Sequence, residues 1–156
     1  MTETFRLTLA QLNPTVGAIA ANAAKARAAW HQGRAAGADM VALTEMFITG
    51  YQTRDLIMKP AFVRDAMAAL EQLARDCQDG PALGVGGPWW DGAQLFNAYW
   101  VMDKGRVVAR ILKHHLPTDT VFDERRQFSA APVSGPYRIG PLRIGTPICE
   151  DAWHED

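Results

Sequence analysis

Apolar residues along this chain switch between two periods. Near the start Phe5, Leu7 and Leu9 alternate with Arg6 and Thr8 and run on into Ala10-Gln11-Leu12, a period of two that predicts a strand closed by Asn13-Pro14. From about Ala18 to Ala36 an alanine-rich stretch carrying Lys25, Arg27 and Arg34 predicts a long helix, its small side chains suited to close approach to a sheet. Gly37 is the expected left-handed end, and Asp39 leads into the apolar run Met40-Val41-Ala42-Leu43-Thr44, a strand closed by Glu45. Residues 46 to 59 read as a surface loop with a short helical turn near Asp55 to Met58. A second helix begins about Pro60, with Phe62, Ala66, Ala69, Leu70 and Leu73 on one face, and Gly80-Pro81 ends that region. Three strands follow: Ala82 to Gly86, Leu95 to Met102 and Arg106 to Leu112, the last two joined by the turn Asp103-Lys104-Gly105. The apolar run Leu142 to Ile148 predicts another strand, ending at Cys149. A βαβ-like opening followed by a hairpin makes an α/β fold with a mixed sheet.

Three polar residues close apolar runs in the same way. Glu45 follows the second strand, Lys113 follows Val107-Val108-Ala109-Arg110-Ile111-Leu112, and Cys149 follows Leu142 to Ile148. Open α/β sheets place their chemistry at the C-terminal ends of strands, so a carboxylate, an ammonium and a thiol are expected at one edge. Their chemistries divide the work of acyl transfer. A thiol of ordinary pKa, about 8.5, is only a few per cent thiolate at neutral pH, so Cys149 as nucleophile needs a base, and Glu45 can take its proton. The negative charge that develops on a carbonyl or imidate under attack suits Lys113 and the backbone N–H groups after Cys149. Taken singly each residue has an ordinary explanation: strand-end cysteines usually pack, and most charged residues face water.

Other features read as structure. Gly84-Val85-Gly86-Gly87 lacks the spacing of a phosphate loop and is expected to be a strand end. Trp89, Trp90, Tyr99 and Trp100 are expected in strand packing, because no basic patch surrounds them to make a base-stacking platform. His114 and His115, adjacent on an extended segment, should point to opposite sides and not share a metal. Glu150 and Asp151 suit the start of a helix better than a metal site, and no metal set is expected. Cys77 reads as a partly buried bystander on the second helix. Sixteen basic against seventeen acidic residues, with no block of like charge, leave no footprint for nucleic acid or an anionic membrane. No signal-like start, no run of about 18 apolar residues, and two cysteines without a CxxC spacing fit a cytoplasmic protein in a reducing compartment.

At these positions the chain resembles the nitrilase, or carbon–nitrogen hydrolase, superfamily, whose catalytic Glu, Lys and Cys occur in that order. The match lies in Leu43-Thr44-Glu45, in Leu112-Lys113-His114-His115-Leu116-Pro117, and in Ile148-Cys149-Glu150-Asp151-Ala152-Trp153. More narrowly it is similar to the glutaminase domains of the glutamine-dependent NAD+ synthetase family, through Gly50-Tyr51, Asp55-Leu56, Lys59-Pro60-Ala61-Phe62, and the stretch Val121-Phe122-Asp123-Glu124-Arg125-Arg126 with Phe128. It departs from that family at Pro117-Thr118-Asp119-Thr120, where a tyrosine usually stands.

The resemblance implies a four-layer α-β-β-α sandwich, of which residues 1–156 would be the N-terminal portion of an incomplete glutaminase domain, the ATP-dependent synthetase domain lying outside this chain. It implies hydrolysis of the glutamine side-chain amide through a thioester on Cys149, the ammonia passing to a synthetase domain that amidates deamido-NAD to NAD+. Glu45 would be the base, Lys113 the oxyanion partner, and Glu124 a second carboxylate supporting Lys113 or substrate. Tyr51 and Glu150 would contribute to the pocket. The resemblance implies no cofactor for amide hydrolysis, ATP and Mg only in the synthetase domain, and a homo-oligomer in the full-length protein. A stand-alone amidase or nitrilase shares the same chemistry, and a non-catalytic fragment could retain the same motifs. Residues 1–156 alone are expected to lack activity.

Overall fold

The structure is a computed structural model in which residues 4–155 are described. Five strands form one sheet in sequential order: β1 (Leu7–Leu9), β2 (Met40–Ala42), β3 (Ala82–Trp90), β4 (Leu95–Asp103) and β5 (Arg106–Leu112). The pairs β1·β2 and β2·β3 are parallel, whereas β3·β4 and β4·β5 are antiparallel. Two reversals bring β5 back to the direction of β2. The ends of β2 and β5 therefore open on the same edge of the sheet, which is why Glu45 and Lys113 can meet.

Two helices, α1 (Ile19–Ala35) and α2 (Pro60–Asp76), cover one face. The apolar residues of α2 recur at helical spacing, and Val63, Ala66, Leu70, Leu73 and Ala74 are buried. Leu70 and Leu73 are fully buried, worth about 1.5–3 kcal/mol each by transfer from water. α1 buries Ala23, Ala26, Ala29 and Trp30, whose indole N–H donates to the Pro81 carbonyl at 2.8 Å. Gly37 takes φ +71° just beyond α1. The β4–β5 hairpin turns at Lys104 (φ +50°) and Gly105 (φ +80°), two left-handed residues of the kind that match strand twist. Among the described residues no helix is long and apolar enough to cross a membrane.

A two-stranded ribbon, β6 (Tyr137–Ile139) with β7 (Leu142–Ile144), packs on the opposite face. Tyr137, Ile139 and Ile148 meet Met40, Tyr99, Val101 and Ile111 there. The layers thus run helix, sheet, ribbon, an α/β architecture with a mixed sheet.

Several expectations need correction. The strand expected over Leu142 to Ile148 stops at Ile144, and it pairs with β6 instead of joining the main sheet. Gly145 and Pro147 interrupt it, since proline cannot donate to a ladder. β1 is shorter than expected, and its alternating leucines turn away from the helices: Leu7 is 51% and Leu9 75% exposed. β3 continues past Gly86 through Gly87 and Pro88 to Trp90, so the glycine-rich stretch is strand interior and not a strand end. Trp90 is partly exposed, unlike the buried Trp100. His114 and His115 lie beyond the end of β5, and their rings meet edge to face at 4.5 Å instead of pointing apart.

Candidate active site

Lys113 is the centre of the site. Its backbone N–H donates to the Asn97 carbonyl at 2.9 Å, extending the β4–β5 ladder by one step, and its side chain turns into the protein, wholly buried. An ammonium loses hydration there and must be paired. Nζ lies 2.8 Å from Glu45 Oε1, and 2.9 and 3.1 Å from the two oxygens of Glu124. Burial acts to lower the Lys113 pKa, but the charges and hydrogen bonds of Glu45 and Glu124 outweigh it and hold the ammonium above its ordinary value.

One cation against two carboxylates leaves surplus negative charge, and two neutral donors disperse it. Tyr51 donates its hydroxyl to Glu124 Oε1 at 2.7 Å, and Asn97 donates Nδ2 to Glu45 Oε1 at 2.7 Å. Burial first, then the bond and charge of Glu124 and the charge of Glu45, raise the Tyr51 phenol, so it remains a donor. Glu124 opens a short 3-10 turn, Glu124–Arg126, and is itself buried. Its backbone N–H bonds to the Pro117 carbonyl at 3.1 Å, while Ser129 N–H returns to Leu95 at 2.8 Å, so the loop after Lys113 is pinned to the sheet at its return.

Glu45 owes its position to β3. Leu43 N–H donates to the Gly84 carbonyl, Gly86 N–H to Thr44, and Ile48 N–H to Gly86, at 2.9, 3.2 and 3.0 Å. The chain between them arches, with Met46 at φ +48°. Only glycine fits at 86: an added Cβ would stand 2.2 Å from Met46 N and 2.6 Å from the Glu45 carbonyl carbon.

Cys149 arrives from the ribbon side. It begins the 3-10 turn Cys149–Trp153 with φ +48°, a left-handed conformation costly for a residue with a side chain and concentrated at functional sites. Asp151 holds this turn. Its Oδ2 accepts from Ile148 N–H at 3.2 Å, and its Oδ1 accepts from the N–H groups of His114 and His115 at 3.1 and 2.7 Å. The Cys149 side chain is solvent-accessible. Partial burial, then the charge of Glu45, push its thiol above the ordinary value, while Lys113 and the Glu150 backbone N–H pull the other way and Glu124 adds to the rise. The charges of Glu45, Lys113 and Glu124 therefore all reach the sulfur, and on balance the surroundings favour its thiol form. Cys77, by contrast, is buried in the helix-side core, with its thiol pushed up to about 11 mainly by burial.

Four of the six residues singled out from the sequence thus form one hydrogen-bonded cluster: Glu45, Lys113, Glu124 and Tyr51. Cys149 stands at its margin. Glu150 does not bring its carboxylate to the cluster; that group faces His154 at 3.4 Å, and only its backbone N–H serves the sulfur. Asn97 is the participant that the sequence expectations missed. Its signal was a lone polar residue in β4, a strand otherwise apolar from Leu95 to Met102 and buried from Phe96 to Met102.

The carbon–nitrogen hydrolase family model matches residues 6–156. The chain is 67% identical over its whole length to a glutamine-dependent NAD(+) synthetase from Rhodobacter capsulatus, of which it spans 28%. Among solved structures, a glutamine-dependent NAD+ synthetase from Acinetobacter baumannii, in complex with ADP, superposes with TM-score 0.89 at 29% identity, covering 96% of this chain and 28% of that one. An amidase from Nesterenkonia sp. AN1 shares the fold at TM-score 0.72 and 22% identity, with 86% of this chain and 52% of that one covered. Since the family model spans residues 6–156, nearly the whole length, the chain belongs to the carbon–nitrogen hydrolase family.

Proposed function

We propose that this chain carries the catalytic residues of a glutaminase domain, and that the complete protein is a glutamine-dependent NAD+ synthetase. The observation that supports this best is the Glu45–Lys113–Glu124 cluster acting on the Cys149 thiol. In the first half of the reaction Glu45 takes the thiol proton as Sγ bonds to the amide carbon. The charge that moves to the amide oxygen is met by Lys113 and the N–H groups following Cys149. The carbon–nitrogen bond then breaks as Glu45 returns the proton to nitrogen, releasing ammonia and leaving a glutamyl thioester. Water gives a proton to Glu45 and attacks the thioester. The carbon–sulfur bond breaks, the sulfur is reprotonated, and glutamate leaves. Glu124 acts at one remove, keeping Lys113 charged and in place, and Tyr51 fixes Glu124.

Residues 1–156 would then be part of a glutaminase domain whose ammonia passes to an ATP- and Mg-dependent synthetase portion of the same cytoplasmic protein. Amide hydrolysis itself calls on no cofactor. Cys149→Ala in the complete protein should abolish ammonia release from glutamine while leaving NAD+ formation from free ammonia intact, and Cys77→Ala should preserve both. A Cys149→Ala protein that still hydrolyses glutamine would overturn the assignment.

A further inference from the structure

We infer that Asn97 is a positioning residue for Glu45, fixing which carboxylate oxygen faces Cys149. Building on the proposed amide hydrolysis, this inference rests on a contact that stands whatever the amide. Asn97 is 1% exposed and sits on the β4 face that also carries Tyr99 and Val101. Its Nδ2 donates to Glu45 Oε1 at 2.7 Å, the same oxygen that receives Lys113 at 2.8 Å. Its Oδ1 is buried with no hydrogen-bond partner among the described residues. A buried acceptor left open is unfavourable, so this orientation persists only if the bond on the other side is the stronger one. A charge-assisted N–H to carboxylate bond is of that kind, and rotating the amide would set its oxygen against Glu45.

The consequence is an asymmetric carboxylate. Oε1 is taken by two donors, while among the described residues Oε2 accepts from none. Lys113 alone leaves the Glu45 side chain free to rotate about that ion pair. Asn97 supplies the second point that stops the rotation and so keeps the unoccupied oxygen available for the thiol proton. The strand holds Asn97 rigidly, since its carbonyl also accepts the Lys113 backbone N–H at 2.9 Å. One residue thereby sets both the backbone of Lys113 and the side chain of Glu45.

The test is a double-mutant cycle in the complete protein. Asn97→Ala removes the bond, and Asn97→Leu removes it while keeping bulk, which guards against a cavity effect. Turnover is measured with glutamine and in parallel with propionamide, so a protein that ignores glutamine overturns the substrate assignment while the Asn97 comparison proceeds on the simpler amide. Both variants should lose at least about tenfold in kcat with KM changed less than about twofold, the split expected when binding is spared. In a Glu45→Gln background the same Asn97 changes should cost nothing more, because the group they position no longer accepts a proton. A folded Asn97→Ala or Asn97→Leu protein with kcat within twofold of wild type would overturn the inference. So would a loss that multiplies undiminished onto that of Glu45→Gln.

Discussion

Replacing Lys113 with methionine should separate two jobs that the proposed mechanism gives one ammonium. The side chain is wholly buried, and its Nζ stands 2.8 Å from Glu45 and 2.9 Å from Glu124, whose side chains are 19% and 3% exposed. Methionine fills similar space but leaves two carboxylates facing each other. Breaking a buried pair by removing one partner costs about 3–5 kcal/mol, and Tyr51 and Asn97 soften this only in part. Catalysis is a separate loss: one oxyanion donor is worth about 2.7–4 kcal/mol, or roughly 10²–10³ in kcat. Adding Glu124→Gln to Lys113→Met removes the more deeply buried orphan charge, so it should recover part of the stability and none of the turnover. Calorimetry of the hydrolase unit and steady-state ammonia release read the two quantities independently. Recovery of turnover in the double variant would refute the reasoning, since Lys113 would then serve only to neutralise Glu124. Wild-type stability for Lys113→Met alone would refute the burial ledger.

Two further outcomes follow from the same geometry. The Cys149 thiol is held above its ordinary value with Lys113 opposing the rise, so alkylation of Cys149, followed by peptide mass spectrometry, should climb with pH to a midpoint above that of a free cysteine thiol. Lys113→Met should move that midpoint higher and Glu45→Gln lower, and a wild-type midpoint below neutral pH would mean a preformed thiolate without need of a base. Gly86→Ala drives a methyl into the Glu45–Met46 backbone, so it should destabilise by about 1–3 kcal/mol and lower kcat together, whereas an unperturbed melting curve would show that the arch gives way freely.

The elements that the sequence announced best are those with a strong period or a strong stop. α2 shows its buried stripe and starts on Pro60, and the β4–β5 turn is written in Lys104-Gly105. Period alone did not reveal which side of β1 meets the helices. Leu7 and Leu9 alternate cleanly, yet they turn to the ribbon side, because alternation marks a face without saying what covers it. The site was legible through its ends: Glu45 and Lys113 each follow a strand, and two reversals of direction bring those strands parallel. Cys149 was expected at the end of a strand, but Gly145 and Pro147 stop that strand before it. Asn97 escaped notice because one amide in an apolar strand carries no spacing signal, and its partner Glu45 lies 52 positions away.

The three backbone bonds to Asp151 carry a mechanical consequence. Among the described residues, the ribbon that leads to Cys149 shares no ladder with the sheet that carries Lys113. Along the chain, His115 and Asp151 are separated by 36 positions, a path with ample slack. The carboxylate short-circuits that path, gripping the residues just after Lys113 with one oxygen and the residue just before Cys149 with the other. Lys113 and Cys149 are thereby riveted as one rigid piece, and changes in the length of the loops between them can accumulate without altering their spacing.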